Sequence, residues 1–182
     1  MIPLFENYPL IAHNLPYVSL GEFPTPVQKL DSLGSQLGLD NLFIKRDDLS
    51  GKLYGGNKIR KLEFILGDAL RTEAKEVLTF GSAGSNHALA TAIYARQLGL
   101  KSISMLVPQP NAHYVRHNLL MSYHSGAELH LYSPIRFITA LATPSVFYQF
   151  LRHKLKERHW PRVIPMGGSS PLGAVGYVNA AF

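Results

Sequence analysis

A lysine behind two glycines is the first place where this sequence could do chemistry. In Tyr54-Gly55-Gly56-Asn57-Lys58-Ile59-Arg60-Lys61-Leu62-Glu63, the glycines permit a sharp bend or a close approach of a ligand to the backbone. Asn57 is a candidate N-cap for the helix that follows. At ~100° per residue, Ile59, Leu62, Ile65, Leu66, Ala69 and Leu70 fall on one face of that helix. Lys58 lies inside this apolar stripe, Lys61 just outside it and Arg60 on the opposite face. A lysine held against apolar surface has its ammonium destabilised, which is the condition for an amine that forms a Schiff base. The competing reading is a first-turn lysine whose head snorkels past the stripe to solvent.

A second stretch, Thr79-Phe80-Gly81-Ser82-Ala83-Gly84-Ser85-Asn86-His87-Ala88, leaves an apolar run and opens a helix. Free backbone N–H groups and the helix dipole favour an anion there, and Ser85 and Asn86 add polar groups, so a carboxylate or a phosphate would suit it. A tight strand-to-helix turn with an ordinary cap is the alternative. The stretch matches neither the GxGxxG fingerprint nor the GK[ST] ending of a phosphate-binding loop. Ser85 and His87 lack the G-x-S-x-G elbow of a hydrolase. His113 and His117, four apart, could share a helical face and bind zinc. Neither HExxH nor a third ligand accompanies them, so no metal is expected. Asp47 and Asp48 read as the cap of a turn, and Trp160 and the aromatics from Phe147 to Phe150 as packing.

These residues need a scaffold, and the pattern around them supplies one. Pro24-Thr25-Pro26 reads as an extended turn, and Val27 to Leu37 as a short amphipathic helix ended by Gly38. The spacing then predicts strands at Leu42–Lys45, Val77–Phe80, Ser102–Val107, Glu128–Tyr132 and Arg162–Met166. Between them it predicts helices at Asn57–Arg71, Ser85–Leu98, Ala112–Tyr123 and Pro144–His159. Strands alternating with helices argue an α/β fold, a parallel sheet with helices on both faces. A last helix, Ala174 to Phe182, follows the loop Gly167-Gly168-Ser169-Ser170-Pro171. It lacks a Gly cap, a basic last turn or a following Pro, and so reads as part of something longer.

With 182 residues, 46% of them hydrophobic, the chain has enough apolar side chains to bury a core. There is no cysteine, which excludes disulfides, thiolate metal sites and a Cys nucleophile. The formal net charge is +6, but the basic residues are scattered apart from Lys58-Arg60-Lys61 and Arg152 to His159, so nucleic acid is not an expected partner. No run approaches the ~18 apolar residues of a membrane span. The start lacks the basic and continuous apolar regions of a signal peptide. A cytoplasmic protein is expected.

Together, Pro24-Thr25-Pro26, Ile44-Lys45-Arg46-Asp47-Asp48, Gly55-Gly56-Asn57-Lys58 with Arg60-Lys61-Leu62-Glu63, Gly84-Ser85-Asn86-His87, and Ile164-Pro165-Met166-Gly167-Gly168 followed by Gly176-Tyr177 resemble the 1-aminocyclopropane-1-carboxylate deaminase and D-cysteine desulfhydrase family. That resemblance implies a tryptophan synthase β-like fold (fold type II) with an incomplete second domain. Residues 1–50 would begin the larger cofactor domain, 51–168 form the smaller α/β domain, and 169–182 start the return to the larger one. It implies pyridoxal 5′-phosphate held by Lys58, with Asn86 at the ring hydroxyl and Ser85, Asn86 and His87 receiving the carboxylate of a small amino-acid substrate. Ser85 would also assist the chemistry, and Lys58 would move a proton at substrate carbon. The reaction would be elimination from D-cysteine or ring opening of the cyclopropane amino acid, in a homo-oligomer when full length. The family usually carries Gln where this chain has Gly84. Its phosphate-cupping loop and C-terminal tyrosines fall outside these residues. The expected results are impaired activity, or a non-catalytic isoform acting as a binding module, and exposed apolar surface that drives aggregation or dimerisation.

Overall fold

The computed structural model describes residues 2–132 and 144–182. Four strands form a parallel sheet: β3 (Glu76–Ser82), β4 (Lys101–Val107), β5 (Glu128–Leu131) and β6 (Arg162–Ile164), in the order β5-β4-β3-β6. Val77 pairs with Ser102 on one side and with Arg162 on the other. β3 is therefore central, and Val77, Leu78 and Thr79 are wholly buried. Neighbouring residues of a strand point to opposite faces, and the core divides accordingly. Val77 and Ile164 pack with Ile59, Leu62, Leu66, Leu89 and Tyr94 from α4 (Lys58–Arg71) and α5 (Asn86–Gln97). Leu78, Ile103 and Met105 meet Phe150 of α7 (Pro144–Glu157) on the other face. The chain is thus α/β with helices on both faces of a parallel sheet, as the alternation predicts.

The N-terminal segment and the last helix close the far side of α4. Two short helices, α1 (Pro3–Asn7) and α2 (Pro9–Ala12), each begin at proline, whose fixed φ suits a first helical position. Leu4 and Phe5 of α1 pack on Phe64, and Leu4 N–H donates to Asn179 Oδ1 at 3.0 Å. Asn179 lies on α8 (Pro171–Ala181), which is capped by Ser170 accepting from Gly173 N–H. α8 crosses α4 so closely that a Cβ on Gly176 would stand 2.0 Å from the Arg60 carbonyl oxygen. Only glycine lets the two backbones meet there.

Three expectations require correction. Val27–Lys29 is not helical: it is β1, antiparallel to β2 (Phe43–Lys45), with Val27 opposite Lys45. The helix is shorter, α3 (Asp31–Leu37), ending at Gly38. Cross-strand pairing overrides the local helical pattern. Arg60, on the face opposite the apolar stripe, is itself 3% exposed, so that face is covered as well. Its guanidinium reaches Asp47 at 2.6 and 2.8 Å and Thr25 Oγ1 at 2.9 Å, and stacks 4.3 Å over the Phe23 ring. Asp47 is thus more than a turn cap: burial raises its pKa, but the Arg60 and Thr25 hydrogen bonds outweigh that and lower it. Asp48 pairs only with Arg46 at the surface. Of the C-terminal aromatics, Phe150 packs against the sheet while Phe147, Tyr148 and Trp160 are exposed.

Glu63, one turn from Arg60, is likewise buried. Its carboxylate accepts from Leu20 N–H at 3.0 Å, Gly21 N–H at 3.2 Å and Tyr17 O–H at 3.3 Å. These bonds satisfy a charge that would otherwise be costly in a dry interior. The motif fragments around residues 17–26, 44–48 and 60–63 are therefore held together by buried charge. They form scaffold beneath the lysine rather than reacting groups.

Candidate functional site

The lysine and the asparagine loop meet at the carboxyl ends of β3 and β6, where parallel α/β sheets open a crevice. β3 runs out at Ser82, and α5 starts at Asn86 with Ser85 as its N-cap. The Ser85 hydroxyl accepts from Ala88 N–H at 3.2 Å, satisfying one of the free donors of the first turn. β6 leads into a 3₁₀ turn, Met166–Gly168, packed beside α4 and α5. Lys58 is the first residue of α4, half-buried, and among the described residues no hydrogen bond holds its amine. Asn57 precedes it with helical backbone angles and makes no side-chain cap, contrary to its expected role.

His87 shows that the pieces converge. The ring is 2% exposed, and neither Nδ1 nor Nε2 has a hydrogen-bond partner. Burial lowers its pKa to about 4, helped by the charges of Lys58 and Lys61. His87 is therefore neutral at physiological pH and beside two lysines. Lys61 donates to the Gly167 carbonyl at 3.1 Å, and its ammonium stands 5.2 Å over the Tyr177 ring. Burial lowers its pKa too, with the nearby Lys58 charge adding to the effect. Two cations beside the start of a helix favour an anion.

Asn86 is exposed, with its amide set from behind by Asn118 of α6 (His113–His124). Asn118 Nδ2 donates to the Gly84 carbonyl at 2.9 Å and to Asn86 Oδ1 at 2.8 Å. A main-chain carbonyl only accepts, so it fixes the Asn118 amide. Asn118 in turn fixes Asn86 with its Nδ2 donor free. Gln109 Oε1 accepts from Gly84 N–H at 2.9 Å, and its amide nitrogen donates to the Tyr114 hydroxyl. A Cβ on Gly84 would meet Tyr114 Cε2 at 2.8 Å and Val115 Cγ2 at 3.0 Å, so the loop is built around glycine. Ser85, Asn86 and His87 follow one another at the start of α5, and the Lys58 charge acts on His87; Asn118, Gln109 and Lys61 are additions to the residues singled out in the sequence. Asn118 and Gln109 reach the loop from 25 to 34 residues away, beyond any local pattern. His113 and His117 stack 6.4 Å apart on the outside of α6.

The residues fit an anionic aldehyde cofactor on the structure's own terms. A half-buried amine without a bond, a buried imidazole with two unpaired nitrogens, and an oriented amide donor share one end of the sheet. No helix among the described residues is long and apolar enough to cross a membrane.

The sequence profile of "Pyridoxal-phosphate dependent enzyme" matches residues 18–182. A "Putative 1-aminocyclopropane-1-carboxylate deaminase" of Pyrococcus horikoshii is 39% identical over 165 residues, which cover 91% of this chain and 49% of that protein. A "D-cysteine desulfhydrase" of Klebsiella pneumoniae is 38% identical over 168 residues, covering 91% and 50%. The crystal structure of an ACC deaminase homologue superposes with a TM-score of 0.81 at 38% identity, over 99% of this chain and 52% of the other. An aspartate racemase dependent on pyridoxal 5′-phosphate, at 19% identity and a TM-score of 0.55, shares the fold. The chain spans about half the length of the curated relatives it matches.

Proposed function

We propose that this chain, which belongs to the pyridoxal-phosphate-dependent enzyme family, contributes the lysine side of a lyase or deaminase site for a small amino acid. D-cysteine and 1-aminocyclopropane-1-carboxylate are the substrate types in view, because relatives at 38–39% identity carry those names. The observation that carries the reading is the convergence of Lys58 and Lys61 on the buried, unpaired His87 at the start of α5.

Pyridoxal phosphate, when bound, supplies an electron-poor ring that stabilises negative charge on substrate carbon. The protein's share is placement and proton transfer. Lys58 offers the amine that holds the cofactor and, once free, carries a proton to or from substrate carbon. Asn86, oriented through its Oδ1, would offer its Nδ2 donor to the cofactor's ring hydroxyl. The Ser85–His87 turn, with its unused N–H groups and nearby ammonium of Lys61, receives the substrate carboxylate. His87 enters as a neutral donor with one ring N–H, since its second proton is lost above about pH 4. Ser85 assists at the same turn.

The test is reduction with borohydride after mixing the chain with pyridoxal phosphate, followed by peptide mapping. The expected result is one stable label, on Lys58, absent from Lys58→Ala. Labelling spread over surface lysines would overturn the reading and favour a non-catalytic binding module.

A further inference from the structure

A second cluster lies at the opposite end of the sheet. Glu128 and His130, two apart on β5, share a face, and α7 lays His153 over it. Glu128 Oε1 is 2.9 Å from His130 Nε2 and 3.6 Å from His153 Nε2. One ligand atom from each of the three residues lies within 4.8 Å of the others. Behind His153, the Glu76 carboxylate approaches Nδ1 at 2.9 and 3.1 Å. A carboxylate only accepts, so Nδ1 carries the proton. With Nδ1 committed to Glu76, Nε2 is the ring atom turned towards Glu128. That nitrogen is buried without a hydrogen-bond partner, on a residue 1% exposed. His153 Nε2 and Glu128 Oε1 face each other here without a bond between them, and a cation between them would bond both.

We infer that Glu128, His130 and His153 form a binding site for a divalent transition metal of the zinc type. Two imidazoles and one carboxylate are a donor set that zinc favours. Bonds of about 2.0–2.1 Å at a tetrahedral angle put neighbouring ligand atoms about 3.3 Å apart, and the observed 2.9 and 3.6 Å bracket that spacing. Glu76 occupies the outer position, holding the far nitrogen of a metal-binding histidine and raising its basicity. Arg152 Nη1 lies 2.6 Å from Glu128 Oε1. Its side chain is 42% exposed, free to swing to the other carboxylate oxygen when a metal takes the first. The site ties α7 to β3 and β5 at their amino ends, away from Lys58, so its role is to clamp the helix rather than to react.

The test begins with the chain stripped by a chelator, in a His113→Ala/His117→Ala background that removes the stacked surface pair. Cobalt(II) titration is expected to give one saturable site with the visible bands of tetrahedral coordination, displaced by zinc. His130→Ala, at a half-buried position, is expected to fold by circular dichroism yet lose the bands. Zinc is expected to raise the melting temperature of the background protein but not of His130→Ala. Glu76→Gln is expected to weaken binding by roughly 10–100-fold. A folded background protein without bands and without a zinc-dependent melting shift would overturn the proposal. The cluster would then be only a hydrogen-bonded contact between α7 and the sheet.

Discussion

His87 and His153 are almost equally buried, at 2% and 1% exposure, yet they sit in opposite fields at opposite ends of one sheet. At the carboxyl end, His87 faces Lys58 and Lys61, and burial with those charges keeps it neutral. At the amino end, His153 lies between Glu76 and Glu128, within reach of a cation's two natural partners. Lys101 and Arg152 neutralise Glu157 and Glu128 around it. The imidazole and the degree of burial are common to both, so the neighbours decide the role. One end is left electropositive and short of acceptors, as a site for an anionic cofactor and substrate must be. The other is acidic and largely satisfied, as a structural clamp must be.

The contrast breaks most visibly at Glu76. Glu76→Leu leaves the Nδ1–H of His153 buried without an acceptor, and the expected cost is about 3 kcal/mol, read from urea unfolding. Glu76→Gln keeps an acceptor and recovers most of it. An unchanged midpoint in the Leu variant would show that His153 does not depend on the pair.

Next in size is the acid response of His87. Its folded pKa, about 4, is below the ordinary 6.5, so the unfolded chain binds the extra proton between those values. Stability is therefore complete above pH 6.5 and falls as pH drops towards 4. The loss is roughly 3 kcal/mol at about 1.4 kcal/mol per pH unit. His87→Leu is expected to flatten that part of the stability–pH curve, and an identical slope in the variant would contradict the assignment.

Asn118→Leu comes third. It strands the Gly84 carbonyl and releases the Asn86 amide, for an expected loss of about 1–2 kcal/mol together with weaker cofactor retention after gel filtration. Retention equal to wild type would mean that Asn86 needs no orientation. The smallest effect is expected from Lys61→Met: the NMR titration of His87 shifts upward, by less than when Lys58 is removed, since Lys58 is the larger of the two charge effects. A larger shift from Lys61 would reverse their order.

Much of the scaffold is legible in the sequence, because its signals are local. The predicted boundaries of α4, α5 and β4 agree with the structure to within a residue or two, where glycines and apolar periodicity mark the ends. The positions of Lys58, Ser85, Asn86 and His87 at the starts of α4 and α5 are legible for the same reason, each adjoining a glycine-rich turn. What escapes is decided by partners far along the chain. The burial of Arg60 is not legible because it rests on Phe23, Thr25 and Asp47, outside its own helix, and Val27–Lys29 reads as helical because its partner strand is not in the same window. His153 gives no signal at all, as its significance rests on Glu76 and Glu128, 77 and 25 positions away.

The close crossing of α8 over α4 has a consequence in time. Lys61 and the Gly167 carbonyl it binds are 106 residues apart, and Gly176, which seats against Arg60, is made later still. At about 5–20 residues per second, the ribosome needs roughly 5–20 s to span that interval. Throughout it, the helix that begins with Lys58 has emerged without its outer wall, and the Arg60 main chain against which Gly176 seats remains open to water. The residues around Lys58 are thus synthesised well before the segments that enclose them.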